Sequence, residues 1–202
     1  MPSPELTRDW LLSRLNSGQR LPEDASIPRF RHPPENTPVP AAVLVPVINQ
    51  SGGPTLLFTR RTAHLQDHAG QISFPGGRAD QEDADRIATA LRETEEEIGL
   101  DRRHIEILGS LPDYDILTGF RVTPIVGWVE PPFEIRTDPF EVAQVFEVPL
   151  AFFLEPGNHR RHNDVVKGRV RHYYSMPYGE HNIWGATAGM VYSFYQILTG
   201  GT

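Results

Sequence analysis

The spacing of apolar residues changes several times along the chain, and each change marks an element. Within residues 4–16, Leu6, Trp10, Leu11 and Leu15 recur at helical intervals and Gly18 follows, which predicts a short amphipathic helix that packs on a larger body. Residues 20–40 are proline-rich and lack a period, as an extended crossing segment does. Residues 41–48 are a continuous apolar run, the mark of a buried central strand, interrupted by Pro46. Turn chemistry over 49–54 and a return of strand character over 55–59 make a hairpin.

Residues 86–98 read as a helix free of proline and glycine, with Asp83 or Asp85 able to cap its start and Gly99 at its end. At about 100° per residue, Ile87, Leu91, Thr94 and Ile98 form one packing stripe, and Glu93, Glu96 and Glu97 gather roughly opposite. Glu93 repels both Glu96 and Glu97, at about 0.2–0.5 kcal/mol per pair. Glu96 and Glu97 also sit at the negative pole of the helix, which costs each about 0.3–1 kcal/mol. A divalent cation reverses both signs, and clustered carboxylate oxygens are ligands for Mg²⁺ or Mn²⁺. The plain alternative is a solvated acidic face on which Arg92 partly neutralises Glu96.

Further strands are predicted over 105–111, 120–129 and 142–148, with a polar turn at 112–119 and a short helix opened by Pro149. Residues 157–164 read as a solvated basic loop, 169–174 as an outer strand, and 183–198 as a final helix with Trp184 as a packing anchor. Strands alternating with helices give an α/β sandwich with a mixed sheet. The predicted organisation is one core domain over 40–202, with the helix and extended segment of 1–39 packed on it.

Composition narrows the partners. A net charge of −7 argues against a general nucleic-acid binder, while the absence of cysteine excludes disulfides and thiolate metal sites and suits a cytoplasmic protein. No stretch has the roughly 18 apolar residues of a membrane span, so no membrane partner is expected. The expected partner is a small molecule, and a homodimer is left open.

Just before the acidic helix, Pro75-Gly76-Gly77 makes a turn where backbone can approach a phosphate or metal closely. Gly77, followed by Arg92-Glu93-Thr94-Glu95-Glu96-Glu97-Ile98-Gly99-Leu100, resembles the Nudix box, G-x5-E-x7-R-E-U-x-E-E-x-G-U. Two departures stand out: the segment between Gly77 and Arg92 is one residue longer, and Ala84 occupies the place of the first acid, flanked by Asp83 and Asp85. Leu56-Leu57-Phe58-Thr59-Arg60-Arg61, then His64-Leu65 and His68 to Gly77, is similar to the signature of the coenzyme A pyrophosphatase branch of Nudix hydrolases. The resemblance implies the Nudix α/β/α sandwich with a mixed sheet. It also implies a Mg²⁺- or Mn²⁺-dependent hydrolase that cleaves the diphosphate of coenzyme A or its derivatives.

By position, the resemblance assigns metal to Glu93, Glu96, Glu97 and the Gly77 carbonyl, with Arg92 orienting a glutamate. Arg60, His68, Gly76 and Gly77 are the substrate-binding candidates, and Glu141 and Glu147 the candidate general bases. Arg61 and His64 read as surface or loop-packing residues. Two alternatives stay open: a pyrophosphatase for another nucleoside diphosphate derivative such as ADP-ribose, and a nucleotide-sensing domain without catalysis, for which Ala84 is the motive.

Overall fold

A computed structural model describes residues 5–17, 37–64, 69–116, 118–166 and 169–200. In chain order the elements are α1 (Arg8–Leu15), β1 (Val39–Ile48), β2 (Thr55–Arg61), β3 (Ile72–Ser73), β4 (Gly76–Arg78) and α2 (Arg86–Ile98). There follow β5 (Ile105–Ser110), β6 (Tyr114–Asp115), β7 (Phe120–Val129), β8 (Val142–Pro149) and α3 (Leu150–Leu154). The chain closes with β9 (Arg160–Val166), β10 (Arg169–Tyr178), β11 (His181–Trp184) and α4 (Gly185–Thr199).

The main sheet has eight strands on the path β3-β2-β1-β7-β5, with β4 added to β1, β6 to β7 and β8 to β2. It is mixed, because β1 runs parallel to β7 and the other pairs are antiparallel. Pro46 does not interrupt β1, which continues through it in register with Gly127 of β7. The Leu44 N–H donates to the Pro75 carbonyl at 2.9 Å, so the nitrogen of Pro46, two residues on, points the same way. On that side β4 pairs only with residues 41–43 and β2 only with 47–48. Pro46 sits in the gap between them, where no ladder hydrogen bond is needed.

The strands bury both faces. Leu56 and Phe58 of β2 pack in the large core with Ile183, Val191, Phe194 and Leu198, whereas Leu57 packs with Ile98 and Leu100 at the end of α2. The sheet therefore lies between α2 and a layer containing α4, an α/β/α sandwich. Helix α1 packs against β5 and α4 of its own chain, with Leu11 fully buried and Arg8 paired to Glu106. No helix among the described residues is long and apolar enough to cross a membrane.

Two expectations are corrected beyond the core. The basic stretch 157–164 is not all loop, since residues from Arg160 onward form β9, paired antiparallel along β10 to make a second sheet with β11. The last helix starts later than expected. Residues 181–184 are strand, Gly185 turns the chain with φ +65°, and Trp184 at the helix N-cap is 45% exposed rather than anchored in the core.

Candidate metal and diphosphate site

Helix α2 is built as its sequence asks at both ends. The Asp85 carboxylate accepts from the Ala88 N–H at 2.8 Å, and Gly99 closes the helix in the left-handed region at φ +66°. Its faces, however, are turned from the expected ones. Thr89, Ala90, Thr94, Glu97 and Ile98 are buried, whereas Ile87 is exposed and Leu91 only half-buried. At about 100° per residue, Glu97 lies in the middle of the buried arc. Small side chains at Ala90 and Thr94 let the helix lie close on β1 and β4, so one glutamate is driven inward with the packing face.

The glycine turn receives that carboxylate. The Gly76 N–H donates to Glu97 Oε2 at 3.3 Å, and a Cβ placed on Gly77 would lie 2.4 Å from Glu93 Oε2. A Cβ on Gly76, whose φ is +150°, would meet the Ala42 carbonyl oxygen at 2.4 Å. Gly76 has no room for a side chain, and one on Gly77 would displace the Glu93 carboxylate. Gly76 and Gly77 thus bring backbone against the carboxylates of Glu97 and Glu93.

Glu97 is 5% exposed, and burial pushes its carboxyl up to about 8 from an ordinary 4.5. Burial also raises Glu93, against the opposing pull of Arg92. Arg92 binds Glu93 at 2.9 Å and Glu96 at 3.0 Å through Nη1, and reaches the Arg78 carbonyl at 3.1 Å through Nη2. Its Nε and Nη2 form a two-pronged contact with Asp83, each at 3.0 Å. The hydrogen bonds from Arg92 hold the Asp83 carboxyl well below the usual carboxylate range, and Asp83 in turn raises Arg92. Next to Ala84, Asp83 thus presents its carboxylate to Arg92, while Asp85 caps the helix. Glu96 is on the outer flank, its side chain 60% exposed, and Glu95 turns away to Arg102.

From the next strand, Arg61 Nη1 stands 3.6 Å from Glu97 Oε1 and 3.9 Å from Glu141 Oε2. Strand alternation explains the choice: Arg61 shares the face of Leu57, and Arg60 shares that of Phe58. Arg60 accordingly reaches the opposite layer, where Nη2 donates to His181 Nδ1 at 2.9 Å and the imidazole stacks on Phe146 at 3.7 Å. The expectation that favoured Arg60 over Arg61 is reversed by this geometry. Glu147 is likewise away from the cluster, accepting from Gln50 at 3.0 Å and from Thr55, whereas Glu141 borders it. His68 lies outside the described residues.

Glu97 and Glu93 lie against the glycine turn, with Glu96 on the far side of Arg92 and Glu141 near Arg61, and their carboxylate oxygens are of the hard type that Mg²⁺ or Mn²⁺ takes. Among the described residues no three His, Asp or Glu groups converge as a ready metal-holding group, and Arg92 engages Glu93 and Glu96. The fit rests on the buried Glu97 carboxylate, whose ionised form meets Arg61 and a single long backbone hydrogen bond, with Glu93 and Glu141 adding like charge. A dication there would offset the part of the burial cost that Arg61 and the Gly76 N–H leave.

The family model of the NUDIX domain matches residues 38–167. The chain belongs to the Nudix family, whose members are hydrolases acting on phosphoric anhydride bonds and generally need divalent metal ions. It is 43% identical over 156 residues to an uncharacterized Nudix hydrolase NudL of Photorhabdus laumondii, covering 77% of this chain and 83% of that one. The uncharacterized Nudix hydrolase NudL of Escherichia coli K12 is 42% identical over 151 residues, 75% of this chain and 78% of that one. Among solved structures, a Caenorhabditis elegans Ap4A hydrolase binary complex aligns with TM-score 0.48 and 20% identity over 55% of this chain and 80% of that one.

Proposed function

We propose that the chain cleaves the diphosphate bond of coenzyme A or its derivatives, giving 3′,5′-ADP and 4′-phosphopantetheine or its acyl form, with Mg²⁺ or Mn²⁺ bound. The observation that carries the hydrolytic site is Glu97, a carboxylate buried on the packing face of α2 and set beside Glu93 against Gly76 and Gly77. The coenzyme A assignment is supported by the likeness of residues 56–77 to the branch signature, whose strand β2 delivers Arg61 to the cluster.

In this reading Glu93, Glu96, Glu97 and the Gly77 carbonyl hold the metal. When bound, it neutralises phosphate charge and activates the attacking water. Arg92, fixed by Asp83, sets the rotamers of Glu93 and Glu96. Arg61 offers a cation to a phosphate oxygen, and Glu141, at the border of the cluster, is the candidate general base. The experiment is a product assay on coenzyme A, ADP-ribose and other diphosphates with Mn²⁺. Release of 3′,5′-ADP from coenzyme A is the expected outcome. Cleavage of ADP-ribose alone moves the assignment to another nucleoside diphosphate derivative, and binding of nucleotide without cleavage moves it to a sensing domain.

A further inference from the structure

Beside the carboxylate cluster stands an apolar ring that the packing of the described residues does not explain. Phe140 is 63% exposed, yet its backbone is pinned on both sides. Its N–H donates to Asp138 Oδ1 at 2.8 Å, its carbonyl accepts from Thr62 Oγ1 at 2.7 Å, and the Thr62 N–H donates to the Glu141 carbonyl at 2.9 Å. The loop is therefore tied to the end of β2. Among the described residues the Phe140 ring meets His64 in a tilted contact at 4.8 Å and 60°. The next residue is Glu141, whose carboxylate is linked through Arg61 to Glu97.

A single exposed phenylalanine is unremarkable on most surfaces. This one has its backbone pinned next to Glu141 at the border of the carboxylate cluster, with His64 against its ring. A substrate whose diphosphate lies in the cluster carries its nucleoside outward from that point, and a planar base has a face to lay on an aromatic ring. We infer that Phe140 is a specificity-determining residue that stacks the nucleobase of the substrate, with His64 as its positioning residue. This rests on the diphosphate-hydrolase reading of the neighbouring cluster, and it does not depend on which nucleoside diphosphate is cleaved.

The test compares wild type, Phe140→Ala, Phe140→Leu and Phe140→Trp with Mn²⁺, using the best diphosphate substrate. AMP, ribose 5-phosphate and 4′-phosphopantetheine serve as inhibitors. Because the side chain is exposed, all four proteins should fold alike, which circular dichroism and melting check. In Phe140→Ala, KM and the AMP inhibition constant should rise roughly 5- to 100-fold, the loss expected of one base–aromatic stack. The constants for ribose 5-phosphate and 4′-phosphopantetheine, and kcat, should stay within about twofold. Phe140→Leu should follow Phe140→Ala, and Phe140→Trp should restore AMP affinity. Unchanged AMP affinity, or an equal shift for AMP and ribose 5-phosphate, overturns the inference, as does an effect confined to 4′-phosphopantetheine. If coenzyme A is not cleaved but another nucleoside diphosphate is, the coenzyme assignment falls and the Phe140 test proceeds on that substrate. If no diphosphate is cleaved, both fall.

Discussion

Glu97 carries two opposed demands: the fold buries it, and its chemistry needs it ionised. With metal removed, its raised carboxyl means that the folded chain holds this proton more tightly than the unfolded chain. Its contribution to stability is therefore full below about pH 4.5 and is lost as pH rises toward about 8. Chemical denaturation in EDTA should show stability falling between those values, by up to about 1.4 kcal/mol per pH unit for one proton. Glu97→Gln should flatten that slope and abolish turnover while the fold persists; an unchanged slope would show that the group titrates normally. At this scale the sequence reveals the glutamates and the glycine pair through motif spacing. It does not reveal which of Arg60 and Arg61 faces the carboxylate cluster, because the two are chemically identical neighbours and only strand alternation separates them.

The element that decides the site is α2 with the turn before it, and two aspartates there have separable duties. Asp85→Ala removes a helix cap and should cost about 1 kcal/mol of stability with catalysis nearly intact. Asp83→Asn leaves the Arg92 fork without its anionic partner, so kcat/KM should fall by at least about tenfold, a loss of about 1.4 kcal/mol in transition-state stabilisation. Steady-state kinetics and denaturant melts on the two variants check the division; equal losses of activity would remove the special role of Asp83. Gly76→Ala forces a Cβ against the Ala42 carbonyl at a positive φ, and should destabilise by about 2–4 kcal/mol in a urea melt. The extents of β7 and α2 are legible because their signals are local: a long apolar run, and a helix with a cap and a terminal glycine. Strand β9 is hidden, because Arg160, Arg161, His162, Asn163 and Asp164 carry no apolar alternation, and its pairing with β10 is a tertiary matter. The true packing face of α2 is hidden too, since its buried centre is a glutamate that any hydrophobic pattern assigns to solvent.

For the molecule as a whole, metal binding and folding are linked. Saturating Mn²⁺ should raise the melting temperature of wild type, with about 2.7 kcal/mol of added stability at a hundredfold excess over Kd. Differential scanning calorimetry should show a smaller shift for Glu97→Gln, and equal shifts would locate the binding ion elsewhere.

The second sheet has a margin of its own. Strand β9 is the outer member of the order β11-β10-β9, and Arg160 and Arg161 stand exposed on it. Two cations side by side are a barrier to lateral growth: a second molecule docking there in matching orientation must bring positive charge to positive charge and strip both of hydration. Substituting both by threonine should leave hydrolysis intact while concentrated solutions turn turbid on storage, the outcome expected if this stretch guards an open edge against fibre formation.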